Sequence, residues 1–362
     1  MFLVKVRSRL IGVWQVMLSK NELYGKVGHV SGGVLFQAAS LAKQKNAQQS
    51  VHLTGGILRH FRALSTPKQN PALGVLSTTA HPQVTQTVGR LPTSYTVVHI
   101  RRTKMSYELE LNKANRLKIA QAYHNHKRVD FSIDCVVEGQ MGKAFVDDLA
   151  HPSSYRITIG PFWYFAGEAN SPGASQMMKE FPRYNLLMPS PSDWTNLAKE
   201  VYGQHLQPFT RYTFSASSLS TEHLASYLKN SGYQSRIVPI DVEMATELTS
   251  QPESYLELSD FDSVQDFIER GIGYTILDEK KVMGVAYSSL VCSTGIEVSV
   301  FVDEPYRQKG VATALSSKLL LECLKLSLRP NWDAANPESC KLAKRLGFLF
   351  VETYDAYYHT VQ

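Results

Sequence analysis

Between residues 296 and 326 a strand passes through a short basic turn directly into a long helix. Ile296, Val298, Val300 and Val302 give the strand its β-branched alternation. The chain then reads Asp303-Glu304-Pro305-Tyr306, followed by Arg307-Gln308-Lys309-Gly310-Val311-Ala312. The helix Val311–Leu326 follows at once, with Leu315, Leu319, Leu320, Cys323 and Leu324 as its apolar stripe. The first N–H groups of a helix have no intrahelical partner, and the helix dipole adds partial positive charge there. Gly310 can adopt backbone angles closed to other residues, so several N–H groups can converge on one phosphate. Ala312 is small, Arg307 and Lys309 add charge, and Arg307 can grip a phosphate through two hydrogen bonds. The turn has neither the P-loop nor the Rossmann spacing, which argues against ATP and NAD. Taken alone, the hexapeptide also fits an ordinary basic turn ahead of a core helix.

The flanking pattern is orderly. Arg236–Ile240 reads as a strand, Asp241–Thr249 as a helix capped by Asp241, and Ser263–Arg270 as a second helix closed by Gly271. Gly273–Asp278 and Val282–Ser289 form a hairpin in which Gly284 permits close backbone approach. Beyond the long helix come a strand at Asn331–Ala334, a helix at Glu338–Leu346 capped by Gly347, and a last strand at Phe348–Tyr358.

Upstream, the pattern predicts a helix over Leu109–Tyr123 and strands over Val129–Val137, Lys143–Asp147, Tyr155–Ile159 and Phe162–Phe165. A short apolar run, Asn185–Met188, precedes a helix Trp194–Tyr202 that Ser192 or Asp193 would cap. A strand over Arg211–Phe214 and a helix over Ser220–Ser231, closed by Gly232, complete this part. The expected class is α/β with a mixed sheet: a smaller α/β domain over 105–235, then a C-terminal domain over 236–362. No motif in 105–235 carries chemistry. Phe162–Phe165 reads as core, and His124 and His126, on different faces, as surface residues.

Residues 1–104 differ in kind. They hold 14 of the 38 Lys and Arg but one acid, Glu22, leaving 24 basic residues against 31 acids thereafter. This poorly structured, basic extension lacks a sustained hydrophobic period. A nucleic-acid or anionic-membrane arm, a targeting segment, or a start placed too early, with Met105 the true start, each accounts for it. The third is preferred, because composition changes at Met105 and an orderly pattern follows; nucleic-acid binding rests on the basic head alone. The four cysteines form no C-x-x-C pair, so neither a disulfide scaffold nor a zinc ribbon is expected. No run of about 18 apolar residues exists, so no membrane helix is expected and the cytoplasm is the default compartment.

Arg307–Ala312 resembles the R/Q-x-x-G-x-G/A signature of the GNAT superfamily of acyl-CoA-dependent N-acyltransferases, and the order of flanking elements is similar too. Pro330-Asn331-Trp332-Asp333-Ala334-Ala335-Asn336-Pro337-Glu338-Ser339, continuing to Leu342-Ala343-Lys344-Arg345-Leu346-Gly347-Phe348, is similar to a P-x-W-D-A-x-N-x-x-S block of a bacterial GNAT subfamily. That subfamily carries a less typical N-terminal α/β half. The resemblance is strong over 236–358, moderate over 105–235 and absent over 1–104.

The resemblance implies acetyl-CoA as co-substrate, no metal, and a small-molecule or peptide amine as acceptor. It places the pantetheine arm beside Val300, Phe301 and Val302. It places the pyrophosphate on Gln308, Lys309, Gly310, Val311 and Ala312, with Thr313 next and Arg307 adding charge. Asn336 and Ser339 match positions that touch the cofactor arm; Asn336 equally suits a helix cap. Glu297 matches a carboxylate that removes the amine proton directly or through water; it equally suits a solvated or salt-bridged strand residue. Ala343 stands where many members carry the Tyr that protonates the leaving thiolate, so Tyr354, water, or no acid at all serves instead. Cys323 and Cys340 lie in helical stripes and read as core, and no covalent acyl-enzyme is expected. The acceptor site is expected near 249–263, where Glu253, Glu257, Asp260 and Asp262 offer acids for a cationic amine or are simply solvated. A CoA-responsive, inactive sensor is the rival reading.

Overall fold

The computed structural model describes residues 106–250, 255–279 and 281–361. The expectations for residues 1–104, and for Glu253, lie outside the described residues. All described residues fall in one compact unit, and none of their helices is long and apolar enough to cross a membrane.

One twelve-stranded mixed sheet organises the described residues, in the order β1-β2-β3-β4-β5-β12-β6-β11-β10-β9-β8-β7. Its first strands are β1 (Tyr107–Leu109), β2 (Lys143–Val146), β3 (Ser154–Ile159), β4 (Phe162–Gly167), β5 (Leu186–Leu187) and β6 (Leu206–Ser215). Then follow β7 (Ile237–Pro239), β8 (Gly273–Asp278), β9 (Lys281–Cys292), β10 (Gly295–Val302), β11 (Arg329–Ala334) and β12 (Leu349–His359). β4 pairs with β5, and β10 with β11, in parallel; the other neighbours are antiparallel.

The helices are α1 (Lys113–Ala122), α2 (Ser132–Glu138), α3 (Ala174–Lys179), α4 (Ser192–Tyr202) and α5 (Thr221–Asn230), then α6 (Val242–Ser250), α7 (Val264–Arg270), α8 (Val311–Lys325) and α9 (Pro337–Leu346). Local chemistry sets many of their ends. Asn112, Ser220, Ser263 and Asn336 each accept a backbone N–H at a helix start. Asp241 does the same for the Met244 N–H at 2.8 Å. Gly347 closes α9 in the left-handed conformation at φ 102°.

Some expectations require correction. The β-rich stretch Val129–Val137 is not a strand: residues 132–138 form α2, which buries Ile133, Cys135 and Val136 and ends at Gly139, φ 70°. Helical spacing of that apolar face, set by the core it meets, overrides β-propensity. The helix expected from Leu109 begins only at Lys113, because Tyr107–Leu109 pairs with β2. Neither Ser192 nor Asp193 caps α4; Pro191 occupies the cap and both lie in the first turn. The short α3 is an addition. His126 is half-buried, with its Nε2 2.8 Å from the Phe165 carbonyl oxygen, while His124 is exposed.

The largest core cluster unites both halves of the chain. Phe131, Cys135, Met141 and Ile159 pack with Phe267, Ile276, Val285, Ile296, Leu315 and Leu319. Trp332, Phe214, Leu224, Leu320, Leu346 and Phe348 form a second cluster. α8 contributes to both, which anchors it between the two clusters.

Candidate active site

β10 and β11 pair over only three residues, Gly295 to Glu297 against Arg329 to Asn331. β10 carries a register irregularity between Glu297 and Val298 in its pairing with β9. From Trp332 onward β11 pairs with β6. Beyond Glu297 the edge of β10 that faced β11 therefore has no paired strand among the described residues, and a wedge opens along Val298–Val302. An unpaired strand edge presents N–H and C=O groups to whatever lies beside it. Val300, Phe301 and Val302 are half-buried along that edge. Gly284, against which the Phe301 carbonyl oxygen packs, admits no side chain: a Cβ there would lie 2.6 Å from that oxygen.

The turn Arg307–Gly310 is exposed. Gln308 (φ 61°) and Gly310 (φ 85°) both take left-handed backbone angles, successive kinks that turn neighbouring N–H groups toward one side. Among the described residues, no acceptor meets the backbone N–H of Gln308, Lys309, Gly310, Val311, Ala312 or Thr313, whereas Ala314 N–H donates to the Gly310 carbonyl at 3.0 Å. The space beside Gly310 is open, the nearest atom to an added Cβ being Tyr233 Cε2 at 4.0 Å. Arg307 Nε donates to the Val302 carbonyl at 3.1 Å, and Lys309 Nζ lies 5.8 Å from the Tyr306 ring centre. Turn and wedge thus share the C-terminal end of β10.

Asn336 and Ser339 are engaged locally. Asn336 Oδ1 accepts from Ser339 N–H at 2.8 Å, and Ser339 Oγ accepts from Trp332 Nε1 at 3.1 Å. Cys323 is buried, and burial pushes its thiol up to about 12, away from nucleophilic use. Ala343, in place of the expected Tyr, is fully buried.

At the apex of the wedge lies a polar network that the sequence did not disclose. Glu297 is 8% exposed, and its Oε2 accepts from Asn331 Nδ2 at 2.9 Å. The same Nδ2 donates to the Val129 carbonyl at 3.1 Å. Next to Val129, Asp130 is buried; its Oδ1 accepts from Tyr164 Oη at 2.8 Å and from Ser132 N–H at 2.9 Å. Asp333 Oδ2 accepts from Arg211 Nε at 2.8 Å and from Tyr354 Oη at 2.7 Å. Arg211 Nε also donates to Tyr354 Oη at 3.1 Å, and its guanidinium stacks 5.2 Å from the Phe162 ring centre. Glu297 and Asp130 are thus coupled by charge to the hydrogen-bonded set of Asp333, Arg211 and Tyr354.

Three buried carboxylates face one guanidinium, and the titration follows. Burial first, then Asp130 and Asp333, push the Glu297 carboxyl well above the usual range, against Asn331 and Arg211. Asp130 is pushed to about 6 by burial and by Asp333. Burial also raises Asp333, against Arg211. Burial and Asp333 raise the Tyr354 hydroxyl well above 10, so it keeps its proton at neutral pH. Asp130 Oδ2 and Asp333 Oδ1 are buried without a hydrogen-bond partner among the described residues. Patterning hid Asp130 and Arg211, because both stand in stretches rich in core residues.

The acids of the 255–262 loop are mostly engaged. Asp260 Oδ1 accepts from Gly160 N–H at 2.9 Å, tying the loop to the β3–β4 turn, and Glu257 Oε1 accepts from Ser259 N–H at 2.9 Å. Asp262 is exposed. A cleft of about 580 Å³ lies at this junction, with Asp260, Phe261, Trp163, Arg183 and Tyr184 among its walls; Glu297 is not one of them.

A mixed sheet splayed between two parallel central strands, with a helix N-terminus presenting free amides beside the splay and a carboxylate at its apex, defines an acyltransferase. The chain belongs to the GNAT acetyltransferase family, whose model matches residues 122–357, and it is an N-acetyltransferase of that superfamily. It is 24% identical over 228 residues to an uncharacterized N-acetyltransferase, YdfB, of Bacillus subtilis (strain 168), covering 60% of this chain and 85% of that protein. A crystal structure of a GCN5-related N-acetyltransferase-like protein from Streptococcus suis 89/1591 is also similar. It is 28% identical with a TM-score of 0.61, covering 69% of this chain and all of that one.

Proposed function

We propose that the enzyme transfers an acetyl group from acetyl-CoA to a primary amine by direct attack. The observation that carries this reading is that, among the described residues, the unpartnered β10 edge adjoins a turn whose N–H groups, Gln308 to Thr313, meet no acceptor. An extended, amide-bearing arm fits an open strand edge, and a pyrophosphate fits converging amides at a helix N-terminus. Val300, Phe301 and Val302 would hold the arm; Gln308, Lys309, Gly310, Val311, Ala312 and Thr313 would hold the pyrophosphate, with Arg307 adding charge. Asn336 and Ser339 are assigned mainly to the start of α9, since each already has a local partner. When bound, acetyl-CoA supplies a thioester carbonyl already activated for attack.

The remaining steps belong to the chain. Glu297, at the apex of the wedge, takes the proton that the acceptor ammonium must lose. Its raised proton affinity suits a base for an ammonium group better than an ordinary carboxylate would. Tyr354 donates a hydrogen bond to Asp333 Oδ2 and accepts one from Arg211 Nε. We therefore assign it to positioning, and leave protonation of the departing sulfur to water.

Thermal shift with acetyl-CoA, followed by an amine panel scored by free-thiol release, tests this. Gly310→Asp is expected to abolish stabilisation by acetyl-CoA, because it puts an anion against the amides. Glu297→Ala is expected to keep that stabilisation and lose turnover. Unchanged stabilisation in Gly310→Asp would refute the phosphate assignment.

A further inference from the structure

Asp130 is given no role by the assignment above, yet it is among the most deeply placed charges in the molecule. It stands just before α2, in the N-terminal half, and is 5% exposed. One oxygen is held by Tyr164 Oη and Ser132 N–H; the other, Oδ2, is buried without a partner among the described residues. Asn331 Nδ2 clamps the strand end beside it to Glu297, donating at once to the Val129 carbonyl and to Glu297 Oε2. Phe131, next in sequence, lies against Gly295, two residues from Glu297, where an added Cβ would collide with its ring. The N-terminal half thus delivers a carboxylate to the apex of the wedge.

We propose that Asp130 and Glu297 form a charge-coupled carboxylate pair holding one proton between them at neutral pH, so that Asp130 sets the pH at which Glu297 accepts the acceptor's proton. Asp130 is a positioning residue here: it acts on substrate only through Glu297. The proposal rests on the reading of Glu297 as the base.

The charged and titratable groups around the pair come from every packed element. β4 supplies Tyr164, β6 Arg211, β11 Asn331 and Asp333, β12 Tyr354, and the start of α2 Ser132. Asp333 is matched by Arg211, its guanidinium 2.8 Å away. No cation is paired with Asp130 or Glu297 among the described residues. Two unmatched carboxylates in a low-dielectric interior cannot both ionise without mutual penalty, so one retains its proton. Asp130, with two donors on one oxygen, is the better stabilised anion; Glu297, with one, is the proton holder. The proton passes from the acceptor ammonium to Glu297 once Glu297 is ionised, and no other reactant is needed.

The test is a carbon-13 carboxyl NMR titration of the full chain with CoA bound, the Glu297 signal being identified by its loss in Glu297→Gln. In the wild type its midpoint is expected above that of the exposed glutamates. Asp130→Asn is expected to lower the proton affinity of Glu297 at least about tenfold, one pH unit. Tyr164→Phe, which weakens the Asp130 anion without removing the carboxylate, is expected to move it the same way by less. Acetyl transfer should show its acid limb displaced to lower pH in Asp130→Asn, whereas a merely structural role would lower the rate without moving the limb. An ordinary glutamate midpoint in the wild type, or one unmoved in both variants, overturns the pair. Because the titration needs neither an acceptor nor turnover, its outcome is separable from that of the acetyl-transfer reading.

Discussion

Gly310 and Arg211 show how far one residue can decide. Gly310 holds φ 85° with open space beside it, so Gly310→Ala is strained only by its backbone. It should cost about 1 kcal/mol of stability and weaken acetyl-CoA less than Gly310→Asp, as thermal shift would read. Arg211 is the one cation of the buried network. Arg211→Met leaves Asp333 buried and uncompensated, and should cost about 3–5 kcal/mol in chemical denaturation at neutral pH. Asp260 carries a pH signature: burial raises its carboxyl to about 6, against the opposing Gly160 N–H. The folded value exceeds the unfolded one of about 3.9, so its contribution is complete below that pH and is lost as pH rises through about 6. Asp260→Asn should therefore gain in melting temperature over wild type at pH 8 relative to the difference at pH 5. A difference that does not change with pH would count against a buried, titrating Asp260.

Among elements, the parting of β10 from β11 does the most. The pairing below the point where they part depends on Gly295, where a side chain would strike both the Arg329 carbonyl oxygen and the Phe131 ring. Gly295→Ala should separate the strands below the apex and cost about 1–3 kcal/mol by overpacking, with a larger loss in turnover than in acetyl-CoA stabilisation, since Glu297 is two residues away. The α8 stripe, the capping Asn336 and the Gly347 stop were legible in sequence because each is written within one turn of its element. The wedge was not, because it depends on which strand β11 chooses beyond Asn331. That partner, β6, lies more than a hundred residues earlier in the chain.

Across the whole molecule, β6 stands between β11 and β12, and the main core joins α2 to β9 and α8. A chain starting at residue 236 would leave one edge of β11 and one of β12 without their partner. We expect it to be insoluble or unfolded by circular dichroism. A chain starting at residue 106 should instead retain a cooperative melt and acetyl-CoA stabilisation. Under this proposal the stretches 105–235 and 236–362 differ in role while sharing one sheet.

The sequence alone settled the class and the order of elements after residue 236, since these rest on local periodicity, caps and a contiguous motif. It erred at Val129–Val137, where apolar β-branched residues suit either a strand or a buried helix until a core is present to select one. Only the tertiary structure brought Asp130, Arg211, Glu297, Asp333 and Tyr354 into one network. These residues come from five separate segments, and burial gives them their shifted proton affinities; no local pattern encodes either their proximity or the loss of water around them.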